Sequence, residues 1–202
     1  MTFGELLLRL KTELQQFIVP CPPLGPSEFQ SRLQVVATTT AERAKARGVR
    51  FPDRFYLGFE DYASGLPNET AAPLLGRELA QLEWLVGCMI DAEIDSLVSF
   101  RRAPLPEEQE ATASLANVLE SELVEITFLS TPAAARAVLN RIANAEDRLL
   151  VVRLLRIRNE HEKGPPRDPA GEKGTAGTTL EFIVGEERIE TRTTIEIVRL
   201  RL

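Results

Sequence analysis

The stretch LVEITFLSTPAAARAVLNRIANAEDRLLVVRLLRIRNE, residues 123–160, decides the fold of this chain. Val124, Ile126 and Phe128 alternate with polar residues, which is the period-two pattern of a strand with one buried face. The segment LVVRLLRI, which follows the alanine-rich middle, returns to the composition of a strand. The stretch therefore predicts a strand, a helix and a second strand, in that order.

The predicted helix has a defined start. Thr131 can accept a hydrogen bond as an N-cap, and Pro132 suits the first helical position because that position needs no N–H donor. Its apolar residues Ala135, Val138, Leu139 and Ile142 fall on one helical face. This unit is a scaffold, since none of its residues has the setting of an acid, base or nucleophile.

The segments around this unit predict an α+β fold. A helix over 70–92, a strand over 96–102 and a polar connection over 103–118 come before the unit, and a flexible loop over 159–178, the strand-like LEFIV (180–184) and a long final strand follow it. The order helix-strand-strand-helix-strand-strand over 70–202 is that of a ferredoxin-like domain. The expected core residues are Leu79, Leu82, Val86, Val138 and Ile142.

Two further segments precede this domain. Residues 1–19 predict a coiled-coil-like helix, because apolar residues repeat at spacings of 4, 3, 4 and 3. The apolar residues of this repeat are the candidate self-association residues: Phe3, Leu7, Leu10, Leu14 and Phe17. Because an exposed seam of this kind is unfavourable in water, and because the long final strand is expected at a sheet edge, we predict a homodimer.

Residues 20–69 predict a Pro-rich segment, a helix and a strand extension. Ser27 is the expected N-cap of the helix, and Gly48 its stop. The inner face of this helix is expected to hold Phe29, Leu33, Val36 and Thr40. Residues 49–59, VRFPDRFYLGF, look like an extended edge strand, since Pro52 cannot donate to a central ladder.

The composition narrows the function classes. The 202 residues carry a formal charge of −6, which argues against a nucleic-acid-binding or anionic-membrane-binding protein. The basic cluster Arg153–Arg158 is interpreted as a solvated strand edge or as paired with acidic neighbours. Cys21 and Cys88 are interpreted as two free thiols rather than as a disulfide framework.

We find no motif for catalysis, for a cofactor or for a metal. The only histidine, His161, falls in the predicted loop, and the sequence has no Gly-rich phosphate loop and no Cys/His spacing that suits zinc. An aromatic group is the best candidate ligand platform, since sugars stack on aromatic faces, and the alternative is a satellite hydrophobic cluster. The members of this group are Phe55, Tyr56, Phe59 and Tyr62.

At the level of whole segments, the chain resembles a known family. The stretches that carry the resemblance are PSEFQSRL (26–33), YLGFEDYAS (56–64), GRELAQLEWLV (76–86), FRRAPLPEE (100–108), LRIRNE (155–160) and GEERIETRTTIEIVRL (185–200). They resemble the Akkermansia-type pilus-like envelope proteins, and the order of elements is similar to the periplasmic domains of PilO and of type II secretion protein M. Members of that family carry an N-terminal membrane segment, which is absent from this chain, and the linker at 159–178 is short by comparison.

The resemblance implies a non-enzymatic scaffold component of a pilus-like or secretion-like assembly. Its expected partners are other envelope proteins, and its expected location is the periplasm or the outer membrane. Contact with the membrane is expected only through an N-terminal anchor outside this chain. The alternative is an envelope-exposed module that binds a glycan or a host surface protein through the aromatic platform.

Overall fold

The structure is a computed structural model, and it describes residues 24–109, 119–159 and 187–200 together with Arg9. In that part of the chain the helices are α1 (Pro26–Ala46), α2 (Ala72–Asp91) and α3 (Pro132–Ala143), with short 3₁₀ turns at Glu60–Ala63 and Pro106–Gln109. The strands are β1 (Ser96–Arg102), β2 (Leu119–Ser130), β3 (Leu150–Asn159) and β4 (Ile189–Leu200). The predicted heptad seam, the predicted loop from residue 160 onward and the predicted strand at 180–184 lie outside the described residues.

The four strands form one antiparallel sheet in the order β1-β2-β4-β3. The final strand therefore lies inside the sheet, and the prediction that it forms an edge is wrong. Its residues Thr191, Thr193 and Ile195 are almost fully buried, because β4 pairs with β2 on one side and with β3 on the other. Among the described strands, β1 and β3 form the two edges of the sheet.

The buried face of the sheet packs against the helices. Val124, Ile126 and Phe128 of β2 are at most 2% exposed, which confirms the predicted alternation. The five expected core residues are all buried, at most 3% exposed. The core is continuous from Phe29 in α1 to Ile197 in β4, so α1 packs into the same interior as the sheet.

The N-cap of helix α1 lies two residues before the expected one. Gly25 is the N-cap, and its N–H donates to Oε2 of Glu28 at 2.8 Å, so Ser27 lies inside the helix. The predicted inner face, from Phe29 to Thr40, is buried as expected. Gly48 follows the helix with a φ of 72°, a left-handed conformation that glycine adopts without a steric penalty.

Residues 49–59 do not form the predicted edge strand. Only Arg50 pairs with the sheet, as an isolated bridge to Ser96. The chain then turns repeatedly, with positive φ at Arg54 (55°), Leu57 (56°) and Gly58 (85°). These conformations cannot continue a ladder, so the segment folds as an irregular loop beside β1.

A bulge interrupts β1 between Leu97 and Ser99, and it leaves Val98 50% exposed while Phe100 is buried. The N-cap of α2 is Ala71, whose N–H donates to Oδ1 of Asn68 at 2.7 Å. At α3 the expected cap is confirmed, since Oγ1 of Thr131 accepts from the N–H of Ala134.

Candidate interaction surfaces

The four residues of the predicted aromatic platform divide between the interior and the surface. Phe59 is 1% exposed and packs edge-to-face on Phe29, with 5.6 Å between the ring centroids. Tyr62 also packs edge-to-face on Phe29, and its hydroxyl donates to Oε2 of Glu108 at 2.7 Å. Phe59 therefore belongs to the core, and Tyr62 is a partly buried residue that packs against it.

Phe55 and Tyr56 lie at the surface instead. They are partly buried and line a cleft of about 640 Å³ between α1 and the loop 49–56. Phe51 lines the same cleft, with its ring centroid 5.0 Å from that of Phe55. Phe51 was missed as a platform residue, although it stands in the same aromatic run of the sequence.

Arg102, at the end of β1, holds this loop in place. Its side chain is 6% exposed, and its two terminal nitrogens donate to the two carboxylate oxygens of Glu108, each at 2.6 Å. Its Nε donates to the carbonyl oxygen of Gly58 at 3.0 Å, and its guanidinium lies 4.4 Å from the ring centroid of Phe59. A longer contact of 3.4 Å reaches the fully buried Glu78 on α2. The side chain of Arg102 on β1 thus contacts the loop 49–59, the 3₁₀ turn Pro106–Gln109 and helix α2.

Two groups beside Arg102, the carboxyl of Glu108 and the hydroxyl of Tyr62, have shifted pKa values. Burial alone would raise the pKa of the Glu108 carboxyl, but hydrogen bonds from Arg102, from the N–H of Leu105 and from Tyr62 hold that pKa below its usual range. Burial, followed by the hydrogen bond to Glu108, raises the pKa of Tyr62 to about 12. Glu108 is therefore a carboxylate, and Tyr62 a neutral donor, at neutral pH.

A larger cleft of about 870 Å³ lies between α2 and α3. At its rim Asp91 accepts from Arg141 at 2.8 Å and from Arg43 at 3.3 Å, which lowers the pKa of Asp91. The guanidinium of Arg148 covers the ring of Trp84 at 4.7 Å. Arg43 on α1 and Arg141 on α3 thus share Asp91 on α2, so these ion pairs connect the three helices.

Cys88 is expected to react slowly with alkylating reagents. It is buried beneath this cleft, and burial raises its pKa to about 11. Because only the thiolate reacts, we expect alkylation at pH 8 to be roughly a hundredfold slower than that of a free cysteine. A Cys21→Ser variant followed by mass spectrometry isolates the reaction of Cys88. Full labelling in denaturant is the control, and rapid labelling of the folded protein would contradict the buried placement.

No strand in the described part of the chain pairs with the outer side of β3, which we call the open edge of the sheet. Every residue from Val151 to Asn159 is exposed, although the strand is rich in aliphatic residues. The exposed aliphatic residues are Val151, Val152, Leu154, Leu155 and Ile157, with exposures of 36–50%. The opposite edge, at β1, is partly covered by the loop 49–59 through Arg50 and Gly58.

Neither a metal site nor a membrane span is found in the described ranges. No cluster of three or more His, Cys, Asp or Glu side chains that could hold a metal ion occurs there. None of the helices in those ranges has the length and apolar character needed to span a bilayer.

Comparisons with known proteins place these surfaces in context. A family model described as pilus-like matches residues 1–180. A crystal structure from Akkermansia muciniphila superposes with a TM-score of 0.78 at 21% identity, covering 98% of this chain and 91% of that one. The core domain of a protein from the same organism gives 0.75 at 22% identity, with coverages of 96% and 99%. A protein solved without its transmembrane region, also from that organism, gives 0.76 at 21%, with 96% of both chains covered. No curated protein matches the chain.

Proposed function

Since this chain belongs to a pilus-like family, we propose that it is a non-enzymatic scaffold component of a pilus-like or secretion-like assembly of the bacterial cell envelope. The match over residues 1–180 is the observation that carries the proposal. In this role the protein acts through contacts with other envelope proteins, in the periplasm or at the outer membrane. The open edge of β3 supports such a role, because an unpaired strand is a ready surface for another chain.

The proposal includes a finer fold assignment. Helix α2 precedes the β1-β2 hairpin, α3 connects β2 to β3, and the sheet order is β1-β2-β4-β3. This arrangement supports a ferredoxin-like fold of the kind found in the periplasmic domains of PilO and type II secretion protein M. Such a domain supplies a rigid sheet whose faces and edges can be used for assembly.

Crosslinking in cells tests the scaffold role. A photoreactive residue at position 151, on the open edge, and one at position 66, an exposed site away from the sheet, would be compared. We expect crosslinks to other envelope proteins from the edge position. An envelope fraction in which neither position gives a crosslinked partner would contradict the scaffold role.

The alternative function is the binding of a glycan or a host surface protein. The cleft lined by Phe51, Phe55 and Tyr56 favours it, because partly exposed aromatic rings can stack on sugar faces. Glycan-array binding that is lost in Tyr56→Ala would support this alternative. Tyr62→Ala is not a suitable probe, since Tyr62 is tied to Glu108 in the interior.

We also propose a homodimer formed through the heptad residues of 1–19. In Leu10→Lys combined with Leu14→Lys, we expect the dimer to dissociate, because two charges enter the apolar seam. Sedimentation at two concentrations measures this dissociation. Thr12→Lys with Gln15→Lys adds the same charge outside the seam and should leave the dimer intact. A monomer in all three proteins at high concentration would rule out the seam as a dimer contact.

A further inference from the structure

The strand β3 has two chemically different faces. Val152, Leu155 and Ile157 pair in register with the buried residues Ile195, Thr193 and Thr191 of β4. They therefore project on the side of the sheet that the helices cover. They are nevertheless 36–49% exposed, so the helices cover this strand only in part. The result is an apolar shelf along the edge, formed by Val152, Leu155 and Ile157.

The other face of β3 carries Arg156 and Arg158 together with the exposed aliphatic residues Val151 and Leu154. The strand holds Arg153, Arg156 and Arg158 and no acidic residue. Arg153 pairs with Glu196 on β4, at 2.5 Å. Within the described residues, Arg156 and Arg158 form no ion pair; in the register Arg156 lies opposite Arg192, whereas Arg158 lies opposite Glu190. Two like charges placed directly opposite each other destabilise a sheet, so a carboxylate beside Arg156 would be favourable.

The composition of β3 argues against two simpler explanations of its exposed edge, namely that the edge is adapted to water or that it pairs with a second copy of β3. A strand adapted to water would carry its charges without a row of exposed aliphatic side chains, yet five of the nine large exposed aliphatic residues in the described chain lie on β3. A second copy of β3 is also a poor occupant. It would add Arg156 and Arg158 again, with no carboxylate in either strand.

We propose that β3 is a docking edge for an extended segment of another protein, whose residues alternate between aliphatic and acidic. Its aliphatic side chains would cover the shelf of Val152, Leu155 and Ile157, and its carboxylates would pair with Arg156 and Arg158. Backbone hydrogen bonds to the free edge of β3 would hold the segment in register. The inference names the kind of partner for the scaffold role and in that sense rests on the proposed function.

Peptide binding to the purified full chain tests this inference. The probe is a labelled peptide of about nine residues, the length of a typical edge pairing, in which Val or Ile alternates with Glu. One comparison peptide carries Lys in place of Glu, and another carries Pro at its central aliphatic position. By fluorescence anisotropy we expect the Glu peptide to bind about tenfold or more tightly than either, because the Lys peptide repels the arginines and the Pro peptide loses a donor.

Matched variants locate the site. Arg156→Glu with Arg158→Glu should weaken the Glu peptide by about tenfold and should improve binding of the Lys peptide. Arg101→Glu with Arg136→Glu changes the charge equally at exposed positions elsewhere, on β1 and α3, and should leave the affinity unchanged. Equal weakening in both double variants would overturn the inference, because it would show attraction to net charge alone.

Hydrogen exchange distinguishes the three segments that could cover the edge of β3: one from another protein, one from the same chain and one from a second copy. We expect the edge-facing amides of β3 to exchange rapidly in the free protein and to become protected when the Glu peptide binds. Protection in the free protein at every concentration would show that a segment of the same chain already covers the edge. Protection that appears only at high concentration would show that a second copy does so. Either result overturns the inference.

The crosslinking test of the scaffold role and the peptide-binding test of the docking edge can fail independently. Crosslinks to envelope proteins in cells without any peptide binding would overturn the docking edge and leave the scaffold role. Specific peptide binding without any envelope crosslink would leave the docking edge and overturn the scaffold role.

Discussion

The Arg102→Ala variant is expected to lose about 3–5 kcal/mol of its free energy of unfolding, measured by urea denaturation at pH 7. The loss is large because removal of the cation leaves Glu108 and the fully buried Glu78 close together without their shared partner. Arg101→Ala is the matched control. Arg101 is the preceding residue on β1, but its side chain is exposed, so its replacement should change the stability by no more than about 0.5 kcal/mol.

The pH dependence of this loss identifies its cause. In the native protein the pKa of Glu108 lies below its usual range, so Glu108 contributes stability above the pKa of the unfolded chain and loses that contribution as the pH falls through the folded pKa. In the variant the unpaired carboxylate is the main penalty, and protonation removes it. The stability difference between the two proteins should therefore shrink from pH 7 to pH 4. A difference that stays constant would indicate that lost packing, rather than lost charge pairing, causes the destabilisation.

The Leu82→Ala variant is expected to lose about 2–5 kcal/mol of its free energy of unfolding. Leu82 is 0% exposed in the middle of α2, so truncation of its side chain leaves a cavity in the shared core. Leu66→Ala is the control, because Leu66 is 57% exposed and its truncation removes little buried surface. Equal losses in the two variants would contradict the packing of α2 described above.

Patterns between neighbouring residues predicted much of the fold. The alternation at Val124, Ile126 and Phe128 and the cap at Thr131 depend only on residues that are close in sequence, and the structure confirms them. The position of the final strand depends on pairing between distant segments, and local periodicity carries no information about strand order. Local patterns therefore predict an edge position for a strand that lies inside the sheet.

The aromatic loop shows a second limit. The aromatic composition of VRFPDRFYLGF suggests an extended strand, but the left-handed conformations at Arg54 and Leu57 occur at residue types that give no signal for them. The burial of Phe59 depends on Arg102, which comes from a different segment of the chain. A residue pattern can propose an aromatic platform, but only the packing shows which rings face water.

The central position of β4 has a consequence for synthesis of the protein on the ribosome. Residues 189–200 are made after all the other described elements, yet β2 and β3 have no contact with each other in the sheet except through them. Translation proceeds at about 5–20 residues per second, so β2 and β3 wait for seconds with exposed edges before β4 inserts. During that time β2 is paired with β1 on one side only and β3 has no strand partner, so the nascent chain exposes strand edges of the kind that chaperones shield from aggregation.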